Sequence, residues 1–346
     1  MRNKTVRFVF ILAMVLLLSP LTGTVMAKES VVIYTNWSLD DVEGIKKAFE
    51  ADNPNIEATF FRAAIEELFT ILDLEMQTGQ VKADAVIFGD PMRAELFKAN
   101  GWLAPLNLSD DTVKMIDKSF LDPDGYIAPY MLQLVTLQFN KNYVKKAPTS
   151  WADLLDPKYK GRIAMGDPKT TGMVHVPMWF ITQYLGRKVG SPFGWDYFRQ
   201  LAKLGPRLVD GHRTIRDLIA TGEISIGIQT LDNCIKSVAE GEPTGYAYMK
   251  EGTPALYQAV GVIKGARNLK NARIFANWLL SYNGQKAVNE VIGTLPVRKG
   301  VPVVAGETVE EISKFGPVVI VGPELTPQLR AEQTETYYKL KDEASR

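Results

Sequence analysis

Residues 31–61, VVIYTNWSLDDVEGIKKAFEADNPNIEATFF, decide the fold. VVIYTNW (31–37) is a short β-branched and aromatic run that ends in polar residues. After it Val42, Ile45, Ala48 and Phe49 repeat at intervals of three and four, the spacing of one helical face. IEATFF (56–61) alternates and reads as a second strand. The rhythm continues outward: IEELFTILDLEMQTG (65–79) is a helix closed by Gly79, and ADAVIFGDP (83–91) is a buried strand stopped by Gly-Asp-Pro. Strand and helix alternating in this way predict an α/β sheet with parallel strands. In such sheets ligands lie at the carboxyl ends of the strands, here Asn36–Trp37, Arg62 and Gly89–Asp90.

Farther along, YMLQLVTLQFNKNYV (130–144) is too long for a simple edge strand and reads as a crossing between two lobes. The rhythm then restarts. APTSWADLLDPKYKGRIAMGDP (147–168) gives a turn, a short helix opening at Thr149 or Ser150, and a strand. Helices are expected around 173–186, at WDYFRQLAKL (195–204) and at IRDLIATG (215–222), then a strand at ISIGIQT (224–230). A second extended run, PALYQAVGVIKGA (254–266), returns the chain to the first lobe. Two helices follow, NLKNARIFANWLLS (268–281) and NGQKAVNEVIG (283–293), and the chain ends in a polar helix.

The first 27 residues set the compartment. Arg2, Lys4 and Arg7 precede the apolar run FVFILAMVLLL (8–18), and Val25-Met26-Ala27 places small residues at the −3 and −1 positions of a cleavage site. This is the pattern of a secretory signal peptide cut after Ala27. The 319 residues after it are too many for one core. Without the three leader cations, 37 basic residues face 39 acidic ones, a net charge of about −2. That balance argues against nucleic acid or an anionic membrane as main partner. Cys234 is the one cysteine, so no internal disulfide forms, and only His175 and His212 are present as bases for a thiol nucleophile. There is no G-x-S-x-G elbow, no H-E-x-x-H helix and no metal-spaced His/Asp cluster. The acid pairs Glu66–Glu67 and Asp110–Asp111 read as solvated residues. An exported hydrolase is the weakest of the alternatives, and the chain is read as no enzyme.

Several strings, spread over most of the chain, resemble the type II periplasmic solute-binding proteins of ABC transporters. They are YTNWSLDDVEGIKKAFEADNPNIEATFFRA, SWADLLDPKYKGRIAMGDPKTTG, TGEISIGIQT and EGTPALYQAVGVIKGARNLKNARIFANWLLSYNGQKAV. The branch they resemble holds ferric-ion, phosphonate and sugar-phosphate binders. The resemblance implies a monomer of two α/β lobes joined by two extended crossings, closing on a small solute. Residues 28–137 and 255–346 would form lobe I, with the C-terminal helices packing on either lobe, and 138–254 lobe II. It implies delivery to a membrane permease driven by a cytoplasmic ATPase, with no catalysis and no cofactor.

The ligand is the finer question. Ferric-ion binders of this branch carry a tyrosine pair after the strand that ISIGIQT resembles, and often a histidine after the first strand. Here the positions read Thr230, Leu231, Asp232, Asn233 and Thr35, Asn36, Trp37. Tyr337–Tyr338 is a pair, but it lies in the C-terminal helix and reads as a surface face. Iron is therefore the alternative to an organic anion. In GDPKTTGMVH (166–175) a helix start near Thr171 leaves its first N–H groups without intrahelical partners, beside the Thr170 and Thr171 hydroxyls and the open backbone of Gly172. One threonine acting as a plain helix cap is the competing reading; in the resembling family this run faces the cleft. Pro177 complicates a helix through 173.

By family position DGHRTIRDL (210–218) supplies a second face through His212, Arg213 and Thr214, against the alternative of a solvated helix start. Arg216 reads as a surface residue. From the first lobe Asn36, Trp37, Arg62 and Asp90 are candidates. Arg62 ends a strand and either meets an anion or pairs with Glu66. Trp37 either stacks on a guest or fills the core, and Asp90 either binds a guest or caps the helix that Pro91 opens. Asp232 stands between a ligand contact and another cap.

Overall fold

The computed structural model describes residues 28–303 and 306–346; of Glu66 and Ser119 only the backbone is described. The leader reading falls outside these residues. β1 (Glu29–Thr35) buries Val31, Ile33 and Thr35 on one side. It feeds α1 (Leu39–Asp52) through a capping box, in which the Ser38 hydroxyl accepts from the Asp41 amide and the Asp41 carboxylate from that of Ser38. Ile45 and Phe49 form the buried stripe, with Phe49 edge-on to Phe275 and Trp278 at 5.3 and 5.2 Å. β2 (Ile56–Arg62) is parallel to β1, and Arg62 is in register with Thr35. α2 (Ile65–Thr78) stops at Gly79, whose φ of 68° is the left-handed cap that glycine adopts without a Cβ clash. β3 (Ala85–Phe88) and α3 (Pro91–Ala99) complete the first parallel unit.

After the short β4 (Leu103–Ala104) and α4 (Asp110–Met115) comes β5 (Ile127–Asn140), buried along its length except at half-buried Gln133. The second unit holds β6 (Ile163–Gly166), α5 (His175–Trp179), α6 (Gly186–Lys188), α7 (Trp195–Lys203) and β7 (Arg207–Val209). It continues through α8 (His212–Ala220), β8 (Ile226–Thr230), α9 (Leu231–Ala239) and β9 (Thr244–Ala247). β10 (Thr253–Ile263) leads back to α10 (Leu269–Leu279), α11 (Tyr282–Ile292) and β11 (Leu295–Pro296). The chain closes with α12 (Val309–Ile312), β12 (Val318–Val321) and α13 (Pro327–Ala344).

The sheet order β2-β1-β3-β10-β5-β8-β6-β7 shows how the rims form. A parallel triplet lies at each end, and the antiparallel pair β10 and β5 joins them. β3 runs from Ala85, beside Val262, to Phe88, beside Ala259, toward the middle of β10. β8 runs from Ile226, beside Phe139, to Thr230, beside Val135, toward the middle of β5. The carboxyl ends of both triplets therefore face each other across the crossing. Pro129, opposite Ala259, and Val135 are six residues apart on β5, about 20 Å of strand. This is the expected two-lobed α/β architecture with two extended crossovers.

Each half has its own core. Ile33, Phe49, Phe69, Phe88 and Phe275 belong to the first, and Trp151, Phe180, Tyr197, Phe198 and Tyr337 to the second. The C-terminal helix α13 packs on α7 and contributes Gln333, Tyr337 and Leu340 to the second half. Tyr337 is edge-on to Phe198 at 6.0 Å and fully buried. The surface reading of the tyrosine pair is thus corrected: the spacing of residues 333, 337 and 340 is a buried stripe in an otherwise polar helix.

The helix expected around 173–186 is real but not uniform. It opens as a 3-10 turn at Gly172–Val174, becomes α5, loosens to a π turn at Phe180–Leu185 and ends in α6. Pro177 sits in the first turn of α5, where a missing N–H costs little.

Candidate functional site

The second rim is built around Asp167. Its amide donates to the Val209 carbonyl at 2.9 Å, and its own carbonyl accepts from Thr170 and Thr171 at 3.1 and 2.8 Å. Its carboxylate accepts from the Lys169 amide at 2.9 Å and from the Tyr338 hydroxyl at 2.8 and 2.9 Å. Partial burial and the Asp167 carboxylate push the Tyr338 phenol up to about 12, so it remains a donor. The Thr171 hydroxyl accepts from Gly211 N at 3.1 Å and reaches the Val209 carbonyl at 3.4 Å, which ties the loop after β6 to the loop after β7. Thr171 makes no side-chain cap bond, so the plain helix-cap reading does not hold. It is buried under the loop, whereas Thr170 and Gly172 are exposed. The space where a Gly172 Cβ would stand is open, and the Gly172 and Met173 amides meet no acceptor in the chain among the described residues.

Beside this loop Gly211, at φ 79°, turns the chain into α8 and places His212 first in the helix. The Gln229 carboxamide holds the ring. Its Oε1 accepts from His212 Nδ1 at 2.8 Å and from Thr230 N at 2.9 Å, and its Nε2 donates to the His212 carbonyl at 2.9 Å. Gln229 Nε2 also lies 3.3 Å from Gln138 Oε1, and both glutamines are fully buried. Nδ1 therefore carries the proton, and Nε2 is left buried with no partner. Burial pushes the His212 pKa below the usual histidine range, against smaller opposing effects of Gln229 and Asp232. Arg213 is exposed and makes no ion pair among the described residues; the neighbouring Thr214 hydroxyl turns back to the Asp210 carbonyl at 2.9 Å. Arg216, read as a surface residue, is instead 7% exposed, between Asp217 and Glu240 at 3.4 and 3.3 Å. Asp232 is exposed at the second position of α9 and accepts from Asn233 Nδ2 at 3.0 Å; it is not the cap, which is Thr230.

The first rim is more self-contained. Trp37 is 4% exposed, in the core, and its Nε1 donates to the Tyr130 hydroxyl at 2.8 Å, which donates on to Gln258 Oε1 at 2.8 Å. The stacking role is thus corrected: Phe60 and Tyr130 flank the indole at 6.1 and 5.8 Å. Asp90 also turns inward. Its Oδ1 accepts from the Met92 amide at 3.0 Å as the cap of α3, and its Oδ2 lies 3.7 Å from an Arg330 nitrogen. Asn36 packs against Gly89, where a Cβ would stand 3.0 Å from both amide heteroatoms, and its Oδ1 is buried without a partner. Arg62 is exposed; its Nε donates to the Trp37 carbonyl at 2.9 Å, which anchors the guanidinium beside the end of β1. Its alternative partner, the Glu66 side chain, lies outside the described residues.

Other candidates resolve into structure. His175 is buried between Gln333 and the Pro168 carbonyl, at 2.9 and 3.1 Å, and burial lowers its pKa. Cys234 is fully buried with its pKa raised by burial, the setting of an inert thiol. Asp111 is not merely solvated: it pairs with buried Arg298 at 2.5 Å. Among the described residues no three His, Cys, Asp or Glu side chains cluster as a metal set. Tyr338 is engaged by Asp167, and Tyr337 lies in the core, so the tyrosine pair is not available on a rim. Gln229 and Gln138 were not singled out in the sequence. Their signal was a glutamine next to an apolar residue in a β run, in IGIQT and TLQFN.

The profile of the bacterial extracellular solute-binding proteins matches residues 44–314, and the chain belongs to that family. An uncharacterized protein of Haemophilus influenzae is 26% identical over 273 residues, 77% of each chain. A putative 2-aminoethylphosphonate-binding periplasmic protein of Salmonella typhimurium is 26% identical over 201 residues, 56% of this chain and 57% of the relative. The chain thus spans little more than half of that relative's length. Iron-bound HitA from Pseudomonas aeruginosa superposes with a TM-score of 0.66 at 20% identity, over 92% of this chain and 100% of HitA, a likeness of fold. No helix among the described residues is long and apolar enough to cross a membrane.

Proposed function

We propose that the protein is the periplasmic receptor of an ABC importer and that it captures a small organic oxyanion, such as a phosphonate or sugar phosphate. Lobe I is taken as 28–137 with 255–346, although α13 packs with the second core, and lobe II as 138–254. The leader is removed after Ala27, and the mature monomer hands its solute to a membrane permease and ATPase. It is read as a binding protein, with neither catalysis nor nucleic acid as partner.

One observation carries the ligand class. The loop at Thr170–Met173 presents the exposed Thr170 hydroxyl and the open amides of Gly172 and Met173 beyond the carboxyl end of β6, while Arg62 is tethered at the carboxyl end of β2 on the facing rim. Open amides and a planar guanidinium are donors suited to the several lone pairs of an oxyanion. A guest that touches both rims favours the closed arrangement by its extra contacts there. The 2-aminoethylphosphonate in the name of the Salmonella relative is of this class.

The test is native mass spectrometry of protein purified without refolding, followed by thermal shift with phosphonates, sugar phosphates, dicarboxylates and thiamine-like compounds. A ligand at one hundred times its Kd adds about 2.7 kcal/mol of stability, enough to move the melt. A panel in which no anion shifts the melt, or a protein that reddens with ferric ion, counts against the reading.

A further inference from the structure

The C-terminal helix α13 meets the Asp167 loop along one face. Arg330, Thr334 and Tyr338 are spaced by four and so stand in one row. Tyr338 donates to the Asp167 carboxylate at 2.8 and 2.9 Å, and Thr334 donates to the Pro168 carbonyl at 3.2 Å. Gln333, next to the row, meets His175 Nδ1 at 2.9 Å. Lys169 lies over the Tyr338 ring, 4.0 Å from its centre. At the other end of the row Arg330 is steadied by its Nε bond to the Leu325 carbonyl at 3.2 Å, and its NH2 lies 3.7 Å from Asp90 Oδ2 at the end of β3. One helix thus touches the loop of the second rim and the cap residue of the first.

We propose that α13 is a positioning element of the ligand site: Tyr338 sets the 167–172 loop through Asp167, and Arg330 ties the same assembly to Asp90 on the facing lobe. That this loop receives the solute rests on the function proposed above; the link itself involves only the chain's own residues. Asp167 is the lever. The Lys169 amide ends on its carboxylate and the Thr170 and Thr171 amides on its main-chain carbonyl, so the residue that Tyr338 holds also holds the backbone that leads to the open amides of Gly172 and Met173.

Both halves are testable without a ligand. In the full chain, Tyr338→Phe keeps the ring and removes the hydroxyl. Hydrogen exchange at Lys169, Thr170 and Thr171 is expected to quicken by about fivefold, the equivalent of one hydrogen bond, with β6 unchanged. Spin labels at Leu74→Cys and Val189→Cys, both exposed in the parent while Cys234 is buried, report the separation of the lobes. Arg330→Gln is expected to shift that separation to longer distances, and Asp90→Asn, which keeps the cap oxygen, to do the same. Unchanged exchange in Tyr338→Phe overturns the loop half. Unchanged distances in both charge variants overturn the lobe half. If exchange and distance respond while the wild type binds neither inorganic phosphate nor methylphosphonate, the positioning role stands and the oxyanion reading falls.

Discussion

The two rims of the gap spend their polar groups in opposite directions. On the first, Trp37, Tyr130 and Gln258 form an inward chain and Asp90 closes a helix, so that these side chains are occupied in holding the lobe together, and the buried Asn36 Oδ1 is left without a partner among the described residues. On the second, bonds made by Asp167, Thr171 and Gln229 are internal, and they leave the Thr170 hydroxyl, the Gly172 and Met173 amides and the His212 Nε2 lone pair unengaged by any described residue. A group already bonded offers a guest little, because the old bond must be given up. Under the proposed function, the difference predicts recognition concentrated on the second lobe, with the exposed guanidinium of Arg62 as the chief contribution of the first.

The comparison breaks most visibly at Gln229. Gln229→Leu removes the partner of Thr230 N and of His212 Nδ1 at once, and urea unfolding is expected to show a loss of about 3 kcal/mol together with loss of anion binding. Next is Arg62→Ala, expected to weaken the best anion of the panel by roughly 10- to 100-fold in titration calorimetry while leaving the unfolding midpoint of the empty protein unmoved, since the side chain is exposed. Trp37→Phe should do the reverse: about 1 kcal/mol of stability lost with the Tyr130 bond, and affinity retained. An equal loss of affinity in Trp37→Phe and Arg62→Ala would erase the distinction between a structural and a receptive face.

The smallest effect is in pH. Burial lowers the pKa of both histidines, so the folded protein resists the protons that the unfolded chain takes up below about 6.5. Stability is therefore complete above 6.5 and is lost as pH falls from there through the folded values. With only His175 and His212 in the chain, two ring signals in an NMR titration check this directly. An anion at the second rim should raise the pKa of His212 and leave that of His175, locked to Gln333 and Pro168, in place.

The elements that organise the molecule were legible because each has a strong period or an unusual length. The alternation in 31–61 marks β1, α1 and β2, and the length of 130–144 and 254–266 marks the crossings. The short strands β7, β9 and β12 went unread, whereas the equally short β3 and β6 were read because each is fully buried and stopped by Gly-Asp-Pro. At the site, sequence located the loops but not the direction of each side chain. Trp37, Asp90 and Thr171 sit where expected and are bonded to the protein itself. Tyr337 and Arg216 were misplaced for a common reason: their partners, Phe198 on α7 and Glu240 just past the end of α9, lie far off in sequence, where no local period announces them.

Between Gln258 and Ala259 the ladder joining β10 to β5 slips its register, beside Tyr130 and the chain that leads to Trp37. The extra residue at the slip, Tyr130 between Met131 and Pro129, is left out of the ladder, and the ribbon bends and twists more sharply there. The residue at which the crossing bends thus also holds the first core through its hydroxyl, so the angle of the ribbon and the packing of Trp37 are set together.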